Sequence, residues 1–176
     1  MELTPKDILE VRLQRFCCRL FAAVIYVGID LTMRLRFGYS YRNIEEFRRD
    51  IWKKIDAHDG TVIWAANHQT LLDSILIFHA LFAFSRLRRD RLIPWSTPEY
   101  TNYYNIGGRL QSRAVRLLMY CCRCIPFLRE GEDAASQAWR EKAFAKCAWI
   151  LSQGGAVFVY PEAQRSRSGW LEKRRP

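Results

Sequence analysis

Along residues 1–37, apolar positions recur at steps of three or four: Leu9, Leu13, Phe16, Leu20, Val24, Val27, Leu31 and Leu35. That spacing draws one stripe along a long helix. Arg12, Arg15, Arg19, Arg34 and Arg36 flank the apolar middle, which is uncharged only from Leu20 to Ile29 and is followed by Asp30. A bilayer span needs about 20 apolar residues. The pattern therefore predicts an amphipathic helix lying at a membrane interface with its arginines toward lipid phosphates. A tilted or re-entrant anchor is a variant of this arrangement, and a helix packed on the core of the domain is its competitor. Asp7 and Glu10 precede the apolar run and no small-residue cleavage site follows, so the segment does not read as a cleavable signal.

Beyond this piece the pattern alternates between short apolar runs and helical stretches. Tyr41 to His58 reads as a charged helix ending near Asp59-Gly60. The β-branched run Thr61-Val62-Ile63-Trp64-Ala65-Ala66 reads as a buried strand, and a helix is expected from His68 to about Phe84. A basic connector, Arg86-Leu87-Arg88-Arg89-Asp90-Arg91, precedes a short strand over 92–96. Residues 97–105 form a polar, tyrosine-rich loop. A helix over 108–120, a strand over 124–128 and a helix over 133–153 follow. Gly154 caps the last helix, and a buried strand comes after the glycine pair. Such alternation predicts an α/β fold with a mixed, mostly parallel sheet flanked by helices. Two pieces are expected: an N-terminal amphipathic helix over 1–37 and one domain over 38–176. At 49% hydrophobic and 14% aromatic residues, the chain has the means to bury a core.

Candidate chemistry sits where the first strand gives way to a helix, in Ala66-Asn67-His68-Gln69-Thr70-Leu71-Leu72-Asp73. Strand ends of α/β sheets aim side chains into an open crevice. Five residues of regular helix rotate by roughly 500°, which would leave His68 and Asp73 about 140° apart. They meet only if His68 lies in the turn before the helix and Asp73 in its first turns. The carboxylate then fixes one imidazole tautomer, and the other ring nitrogen is free to take a proton from a hydroxyl. In an isolated His-x-x-x-x-Asp the pairing arises by chance in many chains. A second block begins after the last buried strand. There a Pro161-Glu162 turn opens a loop carrying Arg165, Ser166, Arg167 and Ser168. Guanidinium forks and hydroxyls suit phosphate oxygens, although a run of this kind also occurs as a solvated basic loop.

Taken together, the ordered blocks resemble the glycerolipid acyltransferase family, which includes glycerol-3-phosphate and lysophosphatidate acyltransferases. Asn67, His68 and Asp73 match its Asn-His-x-x-x-x-Asp block. Ile125-Pro126-Phe127-Leu128-Arg129 matches a strand ending in arginine. Tyr160-Pro161-Glu162-Ala163-Gln164-Arg165-Ser166 matches Phe-Pro-Glu-Gly-Thr-Arg-Ser. Ala163-Gln164 stand where the family has Gly-Thr. The family also continues into a further apolar strand that helps close the acyl pocket. Only residues 170–176 remain here, so the resemblance implies a domain shortened at its C-terminal end.

The resemblance implies a glycerol-3-phosphate acyltransferase-like fold and transfer of a fatty acyl group from acyl-CoA or acyl carrier protein to a hydroxyl of glycerol-3-phosphate or lysophosphatidate. His68 would be the general base, Asp73 would orient it, and Arg129, Glu162, Arg165 and Ser166 would hold the acceptor. Ser166 and Arg167 are the weaker candidates, and Asn67 reads as a turn residue. No cofactor or metal is implied. The sequence has no Gly-x-Ser-x-Gly nucleophile elbow. Two alternatives remain: a non-catalytic lipid- or phosphate-binding relative, and a hydrolase that cuts thioesters or lipids with water.

The formal net charge of +10 fits an acidic carrier protein, the phosphates of coenzyme A or an anionic membrane surface. No helix-turn-helix, zinc-finger or RNA-binding signature points to nucleic acid. The six cysteines include Cys121-x-x-Cys124, but no second Cys or His pair stands at zinc-finger distance. They read as buried free thiols of a reducing compartment, and the whole as a membrane-associated protein of the cytoplasmic face.

Overall fold

The computed structural model describes residues 2–58, 60–67, 73–103, 108–128 and 133–160. Helix α1 runs from Pro5 to Leu31 and continues through a π-helical turn, Thr32–Arg36. Thr4 and Asp7 close a capping box at its start, with Pro5 in the first helical turn. Strand β1 is Val62–Ala65, β2 is Trp95–Ser96 and β3 is Ala156–Val159. They form one sheet in the order β1-β3-β2, and both pairings are parallel. The antiparallel component of the expected mixed sheet does not occur among the described residues.

Helix α2 is Ile44–Asp56, α3 is Asp73–Leu81, α4 is the single turn Tyr100–Tyr103, α5 is Arg109–Cys121 and α6 is Ala134–Ser152. Several bounds differ from expectation for visible reasons. Helix α2 starts at Ile44 rather than Tyr41 because Asn43 takes a left-handed conformation (φ 55°), which a regular helix does not accommodate. Helix α3 stops at Leu81 with no glycine cap. Arg48 of α2 donates to the carbonyls of His79 and Ala80, and the Trp52 indole donates to that of Leu81. Side chains of a neighbouring helix thus satisfy the carbonyls that a helix end leaves open. The connector after α3 winds into 3-10 turns at Phe84–Arg88 and Asp90–Leu92. Pro94, which has no N–H to donate to a ladder, precedes the two-residue β2. The strand expected over 124–128 reduces to isolated parallel bridges, Ser96 with Cys124 and Glu99 with Phe127. Pro98 and Pro126 interrupt the ladder between them. The expected loop after residue 97 contains α4.

Two cores pack on the sheet. Val11, Trp95, Ala143, Cys147, Ile150 and Val157 join α1, α6 and the central strand. Cys18, Trp52, Leu81, Phe82 and Ile93 join α1, α2 and α3, with Trp64 of β1 packed against them. Helix α1 therefore contributes to both cores. It docks through Asp7, Val11, Gln14 and Cys18, a stripe at helical spacing that carries two polar residues. Asp7 lies 3.1 Å from Lys142, and Gln14 donates to the Cys124 carbonyl at 2.9 Å.

The predicted apolar stripe is the face that α1 turns outward. Leu9, Leu13, Phe16, Leu20, Val24, Val27, Leu31 and Leu35 are all exposed, Val24 at 70% and Leu35 at 81%. The helix does pack on the domain core, as the competing reading has it, but through another face, and the apolar stripe stays uncovered. By length and composition, Pro5–Arg36 is also long and apolar enough to cross a membrane, which the short uncharged run had argued against. All six cysteines are free. Burial pushes the thiols of Cys124 and Cys147 up to about 11, so they are not thiolate nucleophiles near neutral pH.

Candidate active site

In a parallel sheet every strand exits at the same edge: the first and third sequence blocks follow β1 and β3, and the second runs beside the end of β2 through isolated parallel bridges. Asn67 lies two residues beyond β1 and is exposed. The Ala66 amide reaches the Val159 carbonyl at 3.4 Å, continuing the β1–β3 pairing to the end of both strands. Tyr160 follows β3 directly. The first and third blocks thus leave from adjacent strands. The second block leaves beyond β2: Tyr100 donates to the Phe127 carbonyl at 2.8 Å, and Phe127 donates to the Pro98 carbonyl at 2.9 Å. Strands stand roughly 5 Å apart, so that exit is about 10 Å from the end of β3 and about 14 Å from that of β1.

Asp73 is the first residue of α3 and is 8% exposed. Beside it, the Ser74 and Tyr160 hydroxyls stand 2.8 Å apart, joining the start of α3 to the exit of β3. The Tyr160 ring packs edge-on against Phe158, with centroids 4.9 Å apart. This link was missed in the sequence. Its one signal is a tyrosine where the resembled block has phenylalanine, since the hydroxyl is the added group. On the second block, the Pro126 carbonyl accepts from the Trp139 indole at 2.8 Å, and Phe127 packs on Phe144 with centroids 5.3 Å apart. Helix α6 therefore holds Pro126 and Phe127 in place.

Of the residues singled out in the sequence, Asp73 and Asn67 are described. His68, Arg129, Glu162, Arg165, Ser166 and Arg167 lie outside the described residues. No group of three or more His, Cys, Asp or Glu able to hold a metal ion occurs among the described residues.

A buried ion cluster lies on the amino-terminal side of β2. Arg123, 1% exposed, pairs with the Asp90 carboxylate and donates to the carbonyls of Asp90 at 2.7 Å and Ile93 at 3.0 Å. Its guanidinium also lies over the Trp95 ring, 5.5 Å from the centroid. Arg15 reaches the same carboxylate at 2.5 Å. These contacts serve the fold and lie away from the strand exits.

Comparison with curated proteins and with solved structures gave no match. A family model described as Acyltransferase matches residues 39–176, which include all three blocks. The chain belongs to this acyltransferase family, the glycerolipid group that its ordered blocks resemble.

Proposed function

We propose that this protein transfers a fatty acyl group from acyl-CoA or acyl carrier protein to a hydroxyl of glycerol-3-phosphate or lysophosphatidate, working at an anionic membrane surface on the cytoplasmic face. The observation that supports the reading is the family match joined to the sheet topology: the strands that precede the first and third blocks end side by side at the carboxyl edge of one parallel sheet. Ligand crevices of open α/β sheets lie at that edge.

In this mechanism a ring nitrogen of His68 takes the proton of the acceptor hydroxyl. The oxygen attacks the thioester carbonyl carbon. The carbon–sulfur bond breaks, and the departing sulfur takes up a proton. Asp73 orients the imidazole and supports its positive charge. Arg129 and Arg165 hold the acceptor phosphate, Glu162 accepts from its hydroxyls, and Ser166 adds a hydroxyl contact. A positioned base supplies ~10²–10⁴-fold, and holding the two substrates together supplies much of the rest. No cofactor or metal takes part.

The outward apolar stripe of α1 supports interfacial seating. One face of the helix is held on the domain by Asp7, Gln14 and Cys18, and the opposite face is apolar and uncovered. Lipid fits that face better than water does.

The test is thiol release from acyl-CoA by the purified protein, with glycerol-3-phosphate, with lysophosphatidate and without acceptor. Acceptor-dependent release that disappears in His68→Ala, with melting unchanged, is the expected result. Release without acceptor would make the protein a hydrolase. Acceptor binding with no thioester consumption would make it a non-catalytic relative, the reading that Ala163-Gln164 favours.

A further inference from the structure

The basic connector singled out in the sequence has no role in the reaction, and the structure uses all but one of its arginines. Arg89 pairs with Asp56, and Arg86 lies over the Trp52 ring, 5.1 Å from its centroid. Arg91 reaches the Gly154 carbonyl at 3.4 Å. Arg88 makes no ion pair or hydrogen bond with a described residue. Its side chain lines a cleft of about 710 Å³ between α1 and the 3-10 turns.

The cleft is amphiphilic. Arg19 and Arg88 supply its charge, and Ala22, Ala23, Phe84 and Leu87 supply apolar wall. Arg19 is only loosely engaged, 3.6 Å from Asp90, whose carboxylate already holds Arg123 and Arg15. Asp90 also lines the cleft, but three guanidiniums surround its single charge. The local balance is therefore positive. The Arg19–Ala23 ridge is one position round the helix from the outward stripe at Leu20 and Val24. The cleft thus opens beside the apolar face, on the amino-terminal side of β2 and away from the strand exits.

We infer that this cleft binds an anionic phospholipid, with its phosphate between Arg19 and Arg88 and its acyl chains against Ala22, Ala23, Phe84 and Leu87. The inference rests on the interfacial seating of α1. Paired guanidiniums recognise a phosphate by charge-assisted hydrogen bonds. The apolar wall continues the lipid-facing stripe, so one molecule satisfies both. The site is separate from the acceptor site and fixes the domain on the membrane in one orientation.

The full chain is tested against vesicles of phosphatidylcholine alone and of phosphatidylcholine with phosphatidylglycerol. The wild type binds the second more tightly. R19Q/R88Q loses about tenfold in affinity for the phosphatidylglycerol vesicles relative to R12Q/R36Q, which removes the same charge from α1 outside the cleft. A23W fills the cleft with its arginines intact and loses the headgroup preference too. The proposal is overturned if R19Q/R88Q loses no more than the matched control, or if A23W keeps the preference. Displacement of the protein from the vesicles by inorganic phosphate would show that the arginines take a free anion rather than a lipid, and would also overturn it. A wild type that binds neither vesicle ends the interfacial reading as well, whereas one that binds both equally ends the cleft proposal alone.

Discussion

The hydroxyls of Ser74 and Tyr160 stand 2.8 Å apart, tying the first turn of α3 to the residue that leaves β3. This contact joins the elements that carry the first and third sequence blocks across 86 residues of chain. Ser74→Ala and Tyr160→Phe are each expected to cost about 1 kcal/mol of stability. The double variant costs less than their sum, because each single change removes the same bond. Denaturant unfolding of the four proteins measures the coupling, and strict additivity would show that the hydroxyls do not act as a pair. On the proposed mechanism, kcat falls in Tyr160→Phe as the two blocks lose their mutual register.

Arg123 is a buried arginine in a left-handed conformation, φ 58°. It caps α5 in a Schellman pattern, with Arg123 donating to the Tyr120 carbonyl at 3.1 Å and Cys124 to that of Met119 at 3.0 Å. The backbone favours glycine there, while the guanidinium is needed by Asp90. Arg123→Ala is expected to cost about 3–5 kcal/mol, since it removes one partner of a buried pair. Arg123→Gly recovers about 1 kcal/mol of that by relieving the left-handed strain. Urea midpoints check the order, and an alanine variant as stable as the glycine variant would refute the strain argument.

His79 of α3 is buried between the rings of Tyr26 and Tyr41, at centroid distances of 4.8 and 5.4 Å. Its Nε2 is 3.0 Å from Asp30, out of line for a hydrogen bond. Burial lowers its pKa below 6.5 and outweighs the attraction of Asp30, with Arg48 and Arg34 adding to the depression. A base with a depressed folded pKa is protonated first in the unfolded chain. Its contribution is present above pH 6.5 and is lost as pH falls from 6.5 through the lower folded value. His79→Gln should flatten this part of the stability profile in thermal melts between neutral and mildly acidic pH. An unaltered slope would assign it to other groups.

Asp7 titrates lower. The Thr4 hydroxyl first, and then Lys142, hold its carboxyl at about 2 against an ordinary 3.8. Its contribution is present above pH 3.8 and is lost as pH falls through about 2. Thr4→Ala removes the cap of α1 and costs about 1 kcal/mol near neutral pH. It also raises the Asp7 pKa toward its ordinary value, which NMR titration of the side chain can follow. A carboxyl that stays near its present value in the variant would make Lys142 its main support.

The two helix ends before and after α6 show what the sequence determined and what only the tertiary structure decided. Gly154 ends α6 in the left-handed region at φ 68°, with Gly154 donating to the Leu151 carbonyl and Gly155 to that of Ile150. Glycine takes that conformation at little cost, and a side chain there would also meet Arg91. Residue type alone therefore announced this stop and the strand after it. The same motif ends α5, but with Arg123 in the glycine position, where no local preference predicts it. Asp90, Ile93 and Trp95 hold the arginine in place, and only the folded chain brings them there.

The blocks and the outward stripe follow the same division. Local patterning gave the helix of α1, the strands that become β1 and β3, and the family's ordered motifs, because these depend on neighbours a few positions away. It could not say which side of α1 would meet the domain. Asp7 and Gln14 look like surface residues until Lys142 and the Cys124 carbonyl receive them. Nor could it show that Ser74 would meet Tyr160. Parallel strands pair only after long crossovers, so which strand ends lie side by side is a property of the closed sheet and not of any segment within it.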